Sequence, residues 1–461
     1  MIIKTYMVPH PPISVAEIGR GEERKIQATI DSFHAIGKEI AELKPETIII
    51  TSPHATMYRD YFNVSSGKEA YGDFSRFRAR NVSFHVQYDT ELIQAINQLC
   101  QKNHFPAGTE YDRDPELDHG TMVPLYFINQ YYQDYQLVRI GLSGLNLAQH
   151  YRLGMMLKEV IEKLDRKVVF IGSGDLAHCQ KEDGPYGFQP EGPMYDEKIM
   201  HTMGTGNFSE LFQYDPELLE KAMECGHRSF VIMAGALDQQ SVITKTYSHE
   251  ATFGVGYGIV SFEPKGEDST RNFLDQYLKE TEEKEKKYRD EAYPYVRLAY
   301  QGVEAAVKRM KPENIIATKE MNKTRAGAFV SIHEFGELRG CIGTILPVRK
   351  NIVEEILRNA DSASLHDPRF NPIKENELPY LHITVDILKD PERIENKEEL
   401  DVKKYGVICS TKDGRRGLLL PDLPGVDTVE EQVRIACQKG HIDPDYDDVI
   451  LERFEVVRHG V

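Results

Sequence analysis

The chain contains no tryptophan, only six cysteines in 461 residues, and too little positive charge to balance its acids. The cysteines (Cys100, Cys179, Cys225, Cys341, Cys409 and Cys437) are scattered, with no CxxC pair among them. That usage argues against a disulfide framework and fits reduced thiols in a cytoplasmic protein. No CxxxCxxC is present either, so any iron–sulfur radical chemistry must lie in another chain. Against 73 Asp+Glu stand 56 Lys+Arg, a formal charge of −17. Such a balance argues against nucleic acid or anionic membrane as the main partner. No apolar run approaches the roughly 20 residues of a membrane span. Met1–Val8 is too short, and too soon followed by Pro9 and His10, to read as a signal peptide. Internal repeats and low-complexity stretches are also missing.

What is present is ordinary globular material: 40% of residues are hydrophobic, enough for real cores. The length predicts two or three domains. Residues 1–262 alternate short apolar runs with amphipathic stretches, which predicts an α/β domain with a mixed or parallel sheet covered by helices. Ile26, Ile30, Phe33 and Ile40 form one helical stripe before the strand Thr47–Thr51; helices are expected at Glu91–Cys100, Ala148–Leu164 and Ser229–Leu237. Residues 263–290 are dominated by charge and read as a linker or exposed helix. Residues 291–461 mix strands and helices without strict βαβ order, which predicts an α+β domain.

Three of the N-terminal strands end in a turn that carries histidine. Ile2–Val8 leads to Pro9-His10-Pro11-Pro12, Thr47–Thr51 to Ser52-Pro53-His54, and Val168–Ile171 to Gly172-Ser173-Gly174-Asp175-Leu176-Ala177-His178. Ligand crevices of open α/β sheets lie beyond the carboxyl ends of the strands, so the three imidazoles are expected to share a pocket. His10, His54 and a carboxylate would make the two-histidine, one-carboxylate face that leaves positions open on Fe(II). Glu224, next to the helix break at Gly226, is the first choice for the carboxylate. Cys225 beside it is the competing ligand, and a thiolate there would favour copper or zinc. The remaining histidines, His34, His85, His104 and His150 among them, read as surface or structural.

The same segments, together with Leu117-Asp118-His119-Gly120, Val123-Pro124-Leu125 and Glu224-Cys225-Gly226, resemble the class III extradiol ring-cleavage dioxygenases (LigB-like) and their Memo relatives. The resemblance covers about residues 1–262 and implies a mixed central sheet with helices on both faces. It implies that His10, His54 and Glu224 match the iron ligands, that His178 matches the acid/base histidine, and that His119 matches a second pocket histidine. It also implies an aromatic or diol-like small molecule and dioxygen as substrates. Asp175 or Asp118 would orient a histidine through its other ring nitrogen. In the Memo branch the position of Cys225 holds cysteine, which leaves a copper- or zinc-binding adaptor open beside the iron enzyme. A metal-dependent hydrolase using the same ligands with a bound water is the third reading.

Residues 288–459 resemble the AMME domain. Glu337-Leu338-Arg339-Gly340-Cys341-Ile342-Gly343-Thr344, Asp367-Pro368-Arg369-Phe370 and Gly417-Leu418-Leu419-Leu420-Pro421 carry the likeness. The combination is similar to two members of the AmmeMemoRadiSam grouping fused in one chain, which implies a radical-SAM protein as partner. A homo-oligomer is left open. Read from the residues, Arg339, Cys341, Asp367 and Arg369 line a cleft. A cysteine near an arginine could have a lowered pKa and be reactive; a glycine-rich strand with a buried thiol and internal ion pairs is the plainer reading.

Overall fold

Short β-branched runs build the first sheet. A computed structural model describes residues 1–112, 116–423 and 425–460, and the chain divides into two units, Met1–Tyr277 and Leu278–Val461. In the first unit, strands β1 (Ile2–Val8), β2 (Thr47–Ser52), β3 (Gln136–Gly141), β4 (Val168–Ser173), β5 (Gln240–Glu250) and β6 (Tyr257–Glu267) form one sheet in the order β3-β2-β4-β1-β6-β5. β3, β2, β4 and β1 run parallel, while β6 and β5 continue the sheet antiparallel. Every residue of β2 and β4 is buried. Successive side chains point to opposite faces, so both faces of these strands are covered. Because β1, β4 and β2 are neighbours and parallel, their carboxyl ends open on one edge.

The helix Gln27–Leu43 buries Ile30, Phe33, Ile36 and Ile40, and the helices Leu147–Lys163 and His227–Gly235 are almost wholly buried along their contacting faces. Gly154 and Gly235 permit that approach, since a Cβ on Gly154 would meet the carbonyl of Ile232 at 2.0 Å. A hairpin of Glu69–Phe74 and Ala79–Gln87 carries Phe77 to the edge where the strands open. Residues 263–290 are mostly helix, the second of the two forms expected for them, and not a linker. They comprise the end of β6, a short 3₁₀ turn at Ser269–Arg271 and most of the helix Phe273–Glu291, with Phe273 and Leu274 buried.

In the second unit, β7 (Ala328–Glu334), β8 (Glu337–Thr344), β9 (Leu381–Leu388), β10 (Glu392–Ile394), β11 (Tyr405–Ser410), β12 (Arg416–Leu419) and β13 (Ile450–His459) form an antiparallel sheet. Its order is β8-β7-β9-β13-β11-β12, with β10 on β13. Val296, Val303, Ile356 and Ala360, from the helices Pro294–Val307 and Ile352–Leu365, close a core with Val330, Ile332, Ile383 and Val385. A second core joins Val407, Cys409 and Leu419 to Val433, Ala436 and Cys437 of the helix Val429–Lys439. The unit is α+β, as its mixed pattern of elements predicts.

Candidate metal centre

His10 and His54 each follow a strand by two residues, and the parallel register sets them side by side. Their Nε2 atoms are 3.0 Å apart. His119 opens the helix His119–Ile128, whose N-cap is Asp118. Its ring centroid is 3.9 Å from that of His54 and 5.5 Å from that of His10. One ring nitrogen from each of the three lies within 4.8 Å of the others.

The hydrogen bonds fix the form of His10. The Ser173 hydroxyl donates its single hydrogen to the carbonyl of Gly120 at 2.6 Å. Its oxygen must therefore accept from His10 Nδ1–H, 2.9 Å away, which leaves the lone pair on Nε2 facing His54. Burial, then the neighbouring His54 ring, holds His10 well below the usual histidine range. Burial, then His54 and His10, takes His119 down to about 3, and burial lowers His54 as well. Three neutral imidazoles are what a metal ion needs, because ligation and protonation compete for the same lone pair. Two nitrogens bound at about 2.1 Å and at right angles are about 3.0 Å apart, the spacing of His10 and His54. The donor set thus fits one divalent ion.

Cys225 stands next to this cluster. Its Sγ is 3.6 Å from His10 Nε2 and accepts from the Asp175 amide at 3.3 Å. Burial, then the acids Asp175 and Glu224, pushes the thiol well above its ordinary range, so only a cation would draw out the thiolate. A Cβ on Gly174 would lie 2.0 Å from the Cα of Gly226. That close backbone approach is what brings the Cys225 loop to the end of β4.

Glu224 is placed otherwise than expected. The helix Pro216–Ala222 ends with Met223 at φ 56°, ahead of the expected break at Gly226. Glu224 Oε2 then accepts from the His227 amide at 2.6 Å, capping the next helix. Burial raises its carboxyl to about 7, and it is not among the residues whose donor atoms converge.

Nor does either aspartate orient a histidine ring. Asp118 accepts from Ser52 Oγ at 2.5 Å, from the amide and hydroxyl of Thr121, and faces Arg139, whose guanidinium is fully buried. Asp175 Oδ1 accepts from the His10 amide at 2.7 Å, while its Oδ2 is 4.0 Å from His10 Nε2; burial raises this carboxyl to about 6. Ser173 performs the task assigned to the acids, and nothing in its Gly-Ser-Gly setting announces it beyond its place as the last residue of β4. His178 lies near His10 and Asp175. Its Nδ1 is buried without a hydrogen-bond partner among the described residues, and Tyr186 meets its ring edge-on at 5.3 Å. Phe77 likewise meets His119 edge-on at 5.4 Å.

Both halves of the chain match known families. Residues 4–260 match the family described as the catalytic LigB subunit of aromatic ring-opening dioxygenase. The chain belongs to the LigB family. Residues 296–459 match the AMMECR1 family, so a LigB-like domain is followed by an AMMECR1 domain. Protein CA_C1420 of Clostridium acetobutylicum is 43% identical over 468 residues, covering 98% of each chain. A protein of Thermotoga maritima is 49% identical over 171 residues, 36% of this chain and 97% of its own. The crystal structure of uncharacterized protein PH0010 from Pyrococcus horikoshii is 28% identical; it covers 36% of this chain and 88% of its own, with a TM-score of 0.33.

In the AMMECR1 domain the expected cleft residues satisfy one another. Arg339 forks onto Glu377 at 2.7 and 3.2 Å and donates to the Asn371 carbonyl. Asp367 accepts from the Cys341 amide at 2.9 Å, and Arg369, paired with Asp367 at 2.7 Å, donates to the Cys341 carbonyl. β8 is an edge strand, so this acid–base pair takes the place of a missing neighbour. A Cβ on Gly340 would meet the Ala363 carbonyl at 2.2 Å, which accounts for that glycine by helix packing. The Cys341 thiol is raised, not lowered, because burial outweighs the Ser331 hydroxyl and Arg369. Among the described residues of both units, no helix is long and apolar enough to cross a membrane.

Proposed function

We propose that the LigB-like domain is a metal-dependent dioxygenase of the extradiol type, acting on an aromatic or diol-like small molecule with dioxygen as co-substrate. The observation that carries this reading is the convergence of His10, His54 and His119 at the open edge of the sheet. These three would hold Fe(II), which when bound supplies Lewis acidity and a template for the two substrates. His178 would take a proton from the substrate hydroxyl and return it later. Phe77 and Tyr186 flank the histidines edge-on and would guide a flat ring between them.

A second reading is favoured by Cys225, whose sulfur stands 3.6 Å from His10 Nε2. A soft ligand there suits copper or zinc and a protein that holds metal without opening rings. Metal analysis of protein purified without added metal, followed by oxygen uptake on catechols, separates the two. Iron with oxygen uptake supports the dioxygenase. Copper or zinc, lost on Cys225→Ser, overturns it in favour of the second reading, and hydrolysis without oxygen overturns both. In the dioxygenase, His178→Ala keeps iron and loses turnover, whereas His10→Ala loses iron; equal metal content in the two variants refutes these roles.

A further inference from the structure

Two serines occupy equivalent places in this site. Ser52 is the last residue of β2 and Ser173 the last of β4, and both are fully buried. Each one joins a strand end to the first turn of the helix His119–Ile128. Ser52 Oγ accepts from the His54 amide at 3.2 Å and donates to Asp118, the N-cap of that helix, at 2.5 Å. Ser173 Oγ accepts from His10 Nδ1 and donates to the Gly120 carbonyl in that same turn. A Cβ on Gly120 would lie 2.3 Å from Ser52 Oγ and 3.4 Å from His54 Cδ2, so the turn sits directly on the strand ends.

We propose that Ser52 and Ser173 are the positioning residues of the three-histidine site: Ser173 fixes the tautomer of His10, and Ser52 fixes the helix turn that presents His119 to His54. The proposal rests on the metal-site reading above for its purpose. A hydroxyl has one hydrogen to give, and both serines spend it on a group that can only accept. Each oxygen is thereby committed to accepting from the histidine side. For Ser173 the consequence is chemical as well as mechanical, since His10 can present a lone pair at Nε2 only while Nδ1 carries the proton. Outer partners of this kind are worth 10–100-fold in metal affinity.

The test uses the full chain, stripped of metal and labelled with ¹⁵N in histidine, with His10 assigned by the signal lost in His10→Gln. Long-range ¹H–¹⁵N spectra of the metal-free protein are expected to show His10 protonated at Nδ1; a proton at Nε2 instead overturns the assignment without any variant. Ser173→Ala is expected to turn this single form into a mixture and to weaken Zn(II), titrated against a chromophoric chelator, 10–100-fold. Ser52→Ala is expected to weaken Zn(II) while the His10 tautomer stays as in the wild type. An unchanged His10 tautomer in Ser173→Ala, or wild-type Zn(II) affinity in both variants, refutes the proposal. Failure of the metal-site reading looks different: His10→Gln and His54→Ala would then bind Zn(II) as the wild type does, whatever the tautomer.

Discussion

Replacing Glu224 distinguishes a helix cap from a metal ligand. Its Oε2 accepts from the His227 amide at the start of the nine-residue helix His227–Gly235. Glutamine carries a carbonyl oxygen in nearly the same place, so Glu224→Gln keeps the acceptor and removes the charge. Burial already holds the carboxyl near 7, so the neutral form is no stranger to this site. Glu224→Gln is therefore expected to melt within a degree or so of the wild type, and to bind Zn(II) or Fe(II) within about threefold of it. Glu224→Ala removes the acceptor, and losing a cap costs about 1 kcal/mol, with a range of roughly 0.5–2. In a unit of this size that is a fall in Tm of about 2–4 °C, still with metal affinity near wild type. Differential scanning calorimetry and chelator-competed titration read the two quantities separately. If Glu224→Gln kept its Tm but lost metal affinity tenfold or more, the carboxylate would be a ligand and the three-histidine assignment wrong.

Burial, then the neighbouring Arg228, takes His150 down to about 3 from an ordinary 6.5. The unfolded chain therefore binds the extra proton first, and stability falls as pH drops from 6.5 towards 3, by about 2 kcal/mol at pH 5; urea unfolding of His150→Gln at pH 7 and 5 should show a smaller difference than the wild type, and an equal one refutes this. Gly174→Ala forces a methyl onto the Cα of Gly226 and is expected to cost about 1–3 kcal/mol and to lower metal affinity by moving the Cys225 loop; unchanged unfolding in urea would contradict the close approach. Asp367→Ala strips the edge of β8 of its acceptor and removes the ion pair to Arg369, which keeps its bond to the Cys341 carbonyl, at a cost of about 1–3 kcal/mol. Light scattering should show self-association of this variant, and a monodisperse, fully stable variant would show that the edge needs no cover.

The parts of the fold that could be read from sequence are those where composition and burial agree. Ile48–Ile50 and Val168–Ile171 are apolar runs within strands covered on both faces, and Pro53 or Gly174 follows each strand. β5 is hard to read from sequence because Gln240–Glu250 is an edge strand, polar and half exposed, with no apolar alternation. β13 is hard to read for a different reason: Glu452, Arg453 and Glu455 mask a strand that pairs with β9, β10 and β11. In the site, His10 and His54 were legible because each follows a strand directly. No periodicity tells that the turn at His119 folds over those strand ends, so its place in the tight cluster needed coordinates. Glu224 stands two residues before the N-cap Gly226, outside the usual capping position, so only the structure shows that its side chain takes the first amide of the helix His227–Gly235.

The site also separates what the fold dictates from what this chain chooses. Parallel neighbours β1, β4 and β2 send three loops to one edge whatever those loops contain, and the sheet itself holds none of the candidate ligands. The ligand-bearing residues are therefore free to differ while the strands stay the same. Membership in the LigB family accordingly accounts for the meeting place, whereas the donors must be found residue by residue. Here the loop between the helices Pro216–Ala222 and His227–Gly235 offers both an acid and a thiol. The turn at Met223 and the cap at His227 commit the acid to the helix, which leaves the thiol of Cys225 at the histidines. A single left-handed residue thus separates two neighbouring side chains, turning the acid into the helix and leaving the thiol beside His10.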